Sequence, residues 1–117
     1  MQQRDPRAFL WDVAQAGRAV EIFISGMDAQ AYENSALVTA AVERKFEIIG
    51  EALNQLSKLD PALAARIPEL SKIVAFRNQL IHGYAAVDNP VVWNTAQKSL
   101  PRLLSVVDDL LRELDAI

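Results

Sequence analysis

The sequence predicts an all-α fold, an up-down bundle of about four to five helices that forms one domain over residues 1–117. The first observation is periodicity, because apolar residues recur every three or four positions along most of the chain, as one helix face requires. The second is that no stretch alternates apolar and polar residues with the period of two typical of a half-buried strand. With 117 residues, of which 51% are hydrophobic, the chain is long enough for a single domain with its own core.

The first helix is predicted to begin near Asp5 and Pro6, since Asp is a good N-cap and Pro is tolerated at the first helical position. Its end is expected near Ser25 and Gly26, because Gly is the usual residue just past a helix C-terminus. The residues expected on its buried face are Phe9, Val13, Ala16, Val20 and Phe23.

The second long helix is predicted to start near Asn34 or Ser35, after a segment over 27–33 that has room for one helical turn. Gly50 lies inside this helix, where Gly costs about 1 kcal/mol relative to Ala. A close contact with another helix is the simplest reason for a glycine at this position. The residues expected on the buried face are Leu37, Val38, Ala41, Val42, Ile49, Leu53 and Leu56.

The pair Asp60 and Pro61 predicts a short helix that ends before Pro68, and a third long helix is expected over about 70–82. The last helix has Asp88-Asn89-Pro90 as its cap and first residues. Its apolar residues are three and four apart by turns, which favours the core of a bundle over an extended coiled coil. They are Trp93, Ala96, Leu100, Leu103, Val107, Leu110 and Leu114.

Pro101 and the numbers of Cys, His and paired Glu residues lead to expectations about the last helix and about metal sites. Pro101 interrupts the last helix and is expected to kink or split it. The chain has no Cys and one His, which rules out disulfides, a thiolate nucleophile and a metal site built from Cys or from several His of one chain. Glu47 and Glu51 lie four residues apart, but without a third ligand we expect neither a metal nor a cofactor.

The net charge and the N-terminal residues limit the partners and the location that we expect. A formal charge of −3 argues against a protein that coats nucleic acid through bulk charge, so any contact with nucleic acid must be local. No apolar run approaches the roughly eighteen residues of a membrane span, and the segment over 1–7 resembles neither a signal peptide nor a transit peptide. We therefore expect no membrane partner and a cytoplasmic location.

The segment over 76–84 holds the residues best suited to chemistry, including the only histidine. The forked guanidinium of Arg77 suits a phosphate, and His82 can exchange a proton near neutral pH. Together they suit RNA cleavage without a metal, in which a base deprotonates the 2′-hydroxyl and a cation stabilises the transition state. On one helix, Arg77 and His82 lie about 140° apart, whereas Asn78 and His82 share a face. A symmetric dimer could bring two copies of the segment into one cleft.

Each of these residues also has an ordinary structural explanation. His82 could cap a helix C-terminus, Arg77 could be a surface cation, and Tyr84 could be a half-buried loop residue. From composition and spacing alone, these structural interpretations are favoured over a catalytic site.

Other conspicuous residues carry weaker signals. Trp11 and Trp93 are expected in the core or at an interface rather than as platforms that stack RNA bases. Arg44-Lys45 and Arg66 are plausible phosphate-positioning residues, but nothing in the sequence separates them from an ordinary solvated face.

The spacing Arg77-x4-His82-x-Tyr84, with Asn78 directly after the arginine, resembles the Arg-x4-His-x-Tyr motif of HepT-type toxins, which belong to the HEPN superfamily of small all-helical RNases. The resemblance covers nearly the whole chain in the same order. The other blocks that resemble the family are Arg4-Asp5 through Asp12, Ile48-Ile49-Gly50-Glu51-Ala52, Val87-Asp88, Val92-Trp93 and Leu100-Pro101. Glu69-Leu70 departs from the Trp that the family often has there, which affects packing or an RNA-facing surface rather than the chemistry.

The resemblance implies a HEPN-like homodimer in which the motif helices meet in a cleft and cleave RNA without a metal. Arg77 would bind the scissile phosphate and His82 would be the acid–base residue, leaving a 2′,3′-cyclic phosphate. Asn78 would orient His82 or the RNA. The resemblance also implies an antitoxin partner, an MNT-type nucleotidyltransferase that transfers AMP to Tyr84. AMP adds bulk and negative charge beside the phosphate site, so Tyr84 would be a switch and not a catalyst.

Two alternatives remain open at this point. A catalytically inactive HEPN module would dimerise and bind nucleotide but leave RNA intact. A purely structural helical interaction protein would show only small stability effects when Arg77 or His82 is replaced by Ala.

Overall fold

A computed structural model describes residues 4–82 and 87–115, and every regular element within these ranges is helical. This confirms the predicted all-α fold. Four helices are long, and they are α1 (Pro6–Phe23), α3 (Ala36–Leu59), α5 (Leu70–His82) and α7 (Leu100–Asp115). Three are short, and they are α2 (Ala29–Glu33), α4 (Pro61–Ala64) and α6 (Asn89–Asn94).

Side-chain caps fix where most of these helices begin. In each case a carboxylate or hydroxyl oxygen accepts a hydrogen bond from a backbone N–H of the first turn, which would otherwise have no partner. The capping residues are Asp5, Asp28, Ser35, Asp60 and Asp88. All but Asp28 were predicted from the sequence, because Asp or Ser before Pro or before an apolar repeat is a local signal.

The two longest helices form the centre of the bundle. α3 packs against α1 on one side and against α5 on another, and α7 packs against α1. The short helices close the ends, with α4 on α3 and α2 on α6. No helix in the described part of the chain is long and apolar enough to cross a lipid bilayer.

One apolar core runs through the bundle, and the predicted seam of the last helix supplies much of it. The prediction of a bundle core is confirmed, since five of the seven seam residues are buried. They are Ala96, Leu100, Leu103, Val107 and Leu110.

The prediction that two residues lie in the core is wrong, since both are exposed. Leu37 is 82% exposed, because the buried residues of α3 begin only at Val42. Phe23 is also exposed, since it ends α1 beyond Val20, the last buried residue of that helix. Trp11 is 57% exposed and therefore not a core residue, and its place at an interface stays a prediction.

Aromatic residues that the periodicity missed fill the core instead. Phe46 is fully buried and meets Phe76 edge to face, with ring centroids 5.2 Å apart. Tyr32 is also fully buried and lies 5.4 Å from the ring of the partly buried Trp93. Its hydroxyl has no hydrogen-bond partner among the described residues, and burial together with the charge of Glu43 raises its pKa.

The last helix is divided where the sequence places a proline. Thr95–Ser99 form a single π-helical turn between α6 and α7, and Pro101 is the second residue of α7. Proline has no backbone N–H to donate to the preceding turn, and a wider turn accommodates that loss. The predicted interruption is therefore confirmed.

Gly50 lies where α3 packs closely against α5 at Arg77. A Cβ on Gly50 would overlap the Cβ and Cγ of Arg77. The close helix contact predicted from this glycine is thus a contact with the first residue of the motif.

Candidate functional site

Arg77 is held against α3 by an ion pair that joins two helices. It is only 23% exposed, and its Nη2 donates to Oε2 of Glu51 over 2.7 Å. Its Nη1 donates to Oδ1 of Asn78 over 3.1 Å. Its Nε is buried and has no hydrogen-bond partner among the described residues. The guanidinium is therefore positioned by the fold rather than free in solvent.

Glu51 was missed as a site residue by the motif analysis. It follows Gly50 directly, and the two residues serve one arrangement, since the glycine admits the Arg77 stem and the carboxylate binds its head. The signals in the sequence were the Ile-Ile-Gly-Glu-Ala block and the four-residue spacing from Glu47. Glu47, which lies four residues before it, pairs with Arg44 over 3.2 Å, so each carboxylate has its own arginine.

His82 is the last residue of α5 and is exposed. It lines a depression of about 600 Å³ between the end of α5 and α6. Asn78 and Asp88 contribute polar groups to this depression, and Phe76 and Val92 contribute apolar surface. We call it the His82 depression.

Arg77 lines a different groove, on the side of α5 that faces α1 and α3. This Arg77 groove has a volume of about 320 Å³ and also contains Arg4, Arg44 and Glu51. Arg77 and His82 are thus on two sides of one helix, as their 140° separation requires. Asn78 connects the sides, because it lines the His82 depression and accepts a hydrogen bond from Arg77.

Tyr84, the remaining residue of the motif, lies outside the described residues. Among the weaker candidates, Arg44 lines the Arg77 groove, whereas Arg66 forms a two-pronged ion pair with Glu113 at 2.7 and 2.9 Å. The structure therefore separates two arginines that the sequence could not rank. In the described part of the chain, no three His, Asp or Glu side chains converge into a metal site.

The chain is similar to a known protein family over most of its length. Residues 13–110, most of the chain, match the family model described as "Ribonuclease HepT-like". The chain belongs to the HepT-like ribonuclease family. Family membership makes it an RNA endonuclease, and it agrees with the resemblance found in the motif around Arg77 and His82.

Individual relatives with ribonuclease names are similar in sequence to this chain over most of their length. A Methanocaldococcus jannaschii protein named as a candidate RNase is 30% identical to this chain over 115 residues, which are 98% of each of the two chains. A second protein of that organism, with a name of the same kind, is 29% identical over 98% of this chain and 94% of its own. A Thermococcus cleftensis protein whose name proposes the ribonuclease HepT is 30% identical over 86% of this chain and 91% of its own. No solved structure matches the chain.

Proposed function

We propose that two copies of this chain form a metal-independent endoribonuclease toxin that cleaves RNA in a cleft shared by both protomers. One observation supports the shared cleft: Arg77 and His82 line opposite sides of α5. One protomer therefore presents the two groups in separate depressions. A symmetric partner can offer its own copy of the missing group.

The proposed reaction uses His82 as the base and Arg77 as the cation. His82 takes the proton of a ribose 2′-hydroxyl, and O2′ attacks the adjacent phosphorus. The P–O5′ bond breaks, and O5′ leaves with a proton from an acid in the cleft, which the second His82 can supply. The products are a 2′,3′-cyclic phosphate and a 5′-hydroxyl. Arg77 stabilises the extra negative charge on the phosphorane-like transition state.

Asn78 is proposed as a positioning residue. It is four residues from His82 on the same face of α5, and it accepts a hydrogen bond from Arg77. It therefore links the orientation of the cation to the side of the helix that carries the base.

The experiment that tests this function is RNA cleavage in EDTA by the parent chain and by His82→Ala and Arg77→Ala. We expect the parent to cleave and both variants to lose activity by at least about 100-fold, the size of general acid–base and electrostatic contributions. Lys72→Ala is the control, because Lys72 is exposed on the same helix and belongs to neither depression. Full activity in His82→Ala, or an inactive parent without any covalent modification by mass spectrometry, would reject the proposal.

We further propose that an antitoxin partner controls the toxin in the cytoplasm. A nucleotidyltransferase of the MNT type is proposed as the antitoxin, which transfers AMP from ATP to the Tyr84 hydroxyl and releases pyrophosphate. Tyr84 follows His82 by two residues, so their Cα atoms are at most about 7 Å apart and AMP on the Tyr84 hydroxyl would be carried close to the site of the base. The negative charge of AMP would then occupy the region where RNA phosphate must bind.

A further inference from the structure

We infer that a basic groove along α1 and α3 binds the sugar–phosphate backbone of the RNA that leads to Arg77. This inference rests on the proposed function and adds binding residues to it. The basic groove consists of the Arg77 groove and the two depressions that continue it, and its cations are Arg4, Arg44, Lys45, Lys58 and Arg77.

The three depressions are neighbours, because adjacent ones share lining residues. A depression of about 220 Å³ shares Arg4 and Phe9 with the Arg77 groove and adds Lys58. On the other side, a depression of about 260 Å³ shares Asp12 and adds Lys45. The surface therefore forms a path rather than an isolated pocket.

The length of this path suits a strand of several nucleotides. Arg44 and Lys58 lie on the same helix, α3, and differ by fourteen positions. At 1.5 Å per residue they are about 21 Å apart along the helix axis. Arg77 reaches the groove between them, where it binds Glu51.

The charge of the basic groove is opposite to that of the whole chain. Its five cations outnumber its three carboxylates, which are Asp12, Glu47 and Glu51. The chain itself has a formal charge of −3. Positive charge concentrated in a groove focuses the field and attracts a polyanion even on an acidic protein. The His82 depression differs, because its lining contains Asp88 and no lysine or arginine.

The cations of the basic groove can exchange their present partners for phosphate. Arg4 pairs with Asp12 and Arg44 pairs with Glu47, and the two arginine side chains are 50% and 69% exposed. Exposed ion pairs of this kind contribute little net stability, so giving up the carboxylate for a phosphate costs little. Lys58 has no carboxylate within ion-pair distance among the described residues and is available without any exchange.

The test compares two double variants with the same change in net charge. Arg44→Gln/Lys58→Gln removes two cations from the basic groove. Arg66→Gln/Arg112→Gln removes two from elsewhere, and it is closely matched because Arg112, 74% exposed, pairs with a carboxylate three residues away, as Arg44 does. Binding of a mixed-sequence 2′-O-methyl oligoribonucleotide, which cannot be cleaved, is measured at several salt concentrations.

We expect the groove variant to bind more weakly at every salt concentration. The slope of log affinity against log salt should become shallower by about 1.4, since each phosphate contact with a single strand contributes about 0.7. The control variant should keep the parent's slope. An unchanged slope in the groove variant, or an equal change in both variants, would overturn the inference.

Two further measurements distinguish RNA binding in the basic groove from an interface between copies and from failure of the proposed function. Sedimentation of both variants reports their oligomeric state, and a change confined to the groove variant would make this surface an interface between copies and overturn the inference. Cleavage of unmodified RNA by the parent is scored independently. Failure of that cleavage rejects the proposed function, whereas the salt slopes decide on the groove by themselves.

Discussion

At the scale of single residues, the two tyrosines of the chain have different expected roles. Tyr32 is fully buried, and burial raises the pKa of its hydroxyl, so it is a poor acceptor for a transferred group. Tyr84 follows the catalytic histidine of the proposal and is the residue of the motif that the resemblance assigns as the target of AMP. The contrast provides a control for the modification.

We predict that Tyr84→Phe keeps RNA cleavage but is not modified when it is incubated with the MNT-type partner and ATP. Intact-mass measurement should show one added AMP on the parent and on Tyr32→Phe, and none on Tyr84→Phe. Cleavage by the modified parent should fall, because AMP places negative charge near Arg77 and His82. Addition of AMP to Tyr84→Phe would contradict the proposed target.

At the scale of the helices, the contact between α3 and α5 positions the cation of the site. Gly50 admits the stem of Arg77, and Glu51 on the next position binds its guanidinium. The second glycine in a helix interior, Gly17, faces Leu104 and Leu100 instead, and a Cβ added to it would lie 2.6 Å from Cδ2 of Leu104. A leucine methyl can rotate away, whereas the Cβ of Arg77 is fixed to the backbone of α5.

We therefore predict that Gly50→Ala destabilises the fold by about 1–3 kcal/mol, the usual cost of overpacking. Gly17→Ala should be closer to neutral, because Ala gains about 1 kcal/mol of helix propensity that offsets a small side-chain shift. Thermal unfolding of both variants measures the difference.

Gly50→Ala should also reduce RNA cleavage at temperatures where it is fully folded, since the substitution pushes Arg77 away from α3. Gly17→Ala, which leaves α5 in place, should keep the activity of the parent. Equal stability and equal activity of the two variants would show that the contact does not position Arg77.

At the scale of the whole molecule, the placement of Arg77 and His82 on α5 decides how many protomers the proposed cleft needs. The two groups line separate depressions on either side of α5. The proposed cleft therefore depends on a second copy, and that dependence can be tested by combining two inactive variants.

We predict that Arg77→Ala and His82→Ala, each inactive alone, recover activity when they are mixed under conditions that allow protomers to exchange. In a mixed dimer, one protomer supplies the arginine and the other the histidine, so the half of the dimers that are mixed regain one Arg77 and one His82, and partial recovery is expected. Mixing each variant with the double variant Arg77→Ala/His82→Ala is the control and should restore none. No recovery after proven exchange would reject a cleft with contributions from both protomers.

Much of the fold was determined by the sequence alone, because its signals are local. Asp5, Asp60 and Asp88 mark helix starts through hydrogen bonds to backbone groups two or three residues away. The apolar repeat of the last helix predicted its buried face, and Pro101 predicted its interruption. The motif around Arg77 and His82 was likewise visible, since its residues lie on one short segment.

Only the tertiary structure decided which of these residues meet. Leu37 has the right period but lies before the packed part of α3, and periodicity carries no information on where a helix leaves the bundle. The pairing of Arg77 with Glu51 joins residues 26 positions apart, and the inclusion of Arg44 in the same groove depends on how α1, α3 and α5 pack. Local hydrogen bonds and burial patterns depend on residues only a few positions apart. Partners across helices are determined by the packing of the whole core.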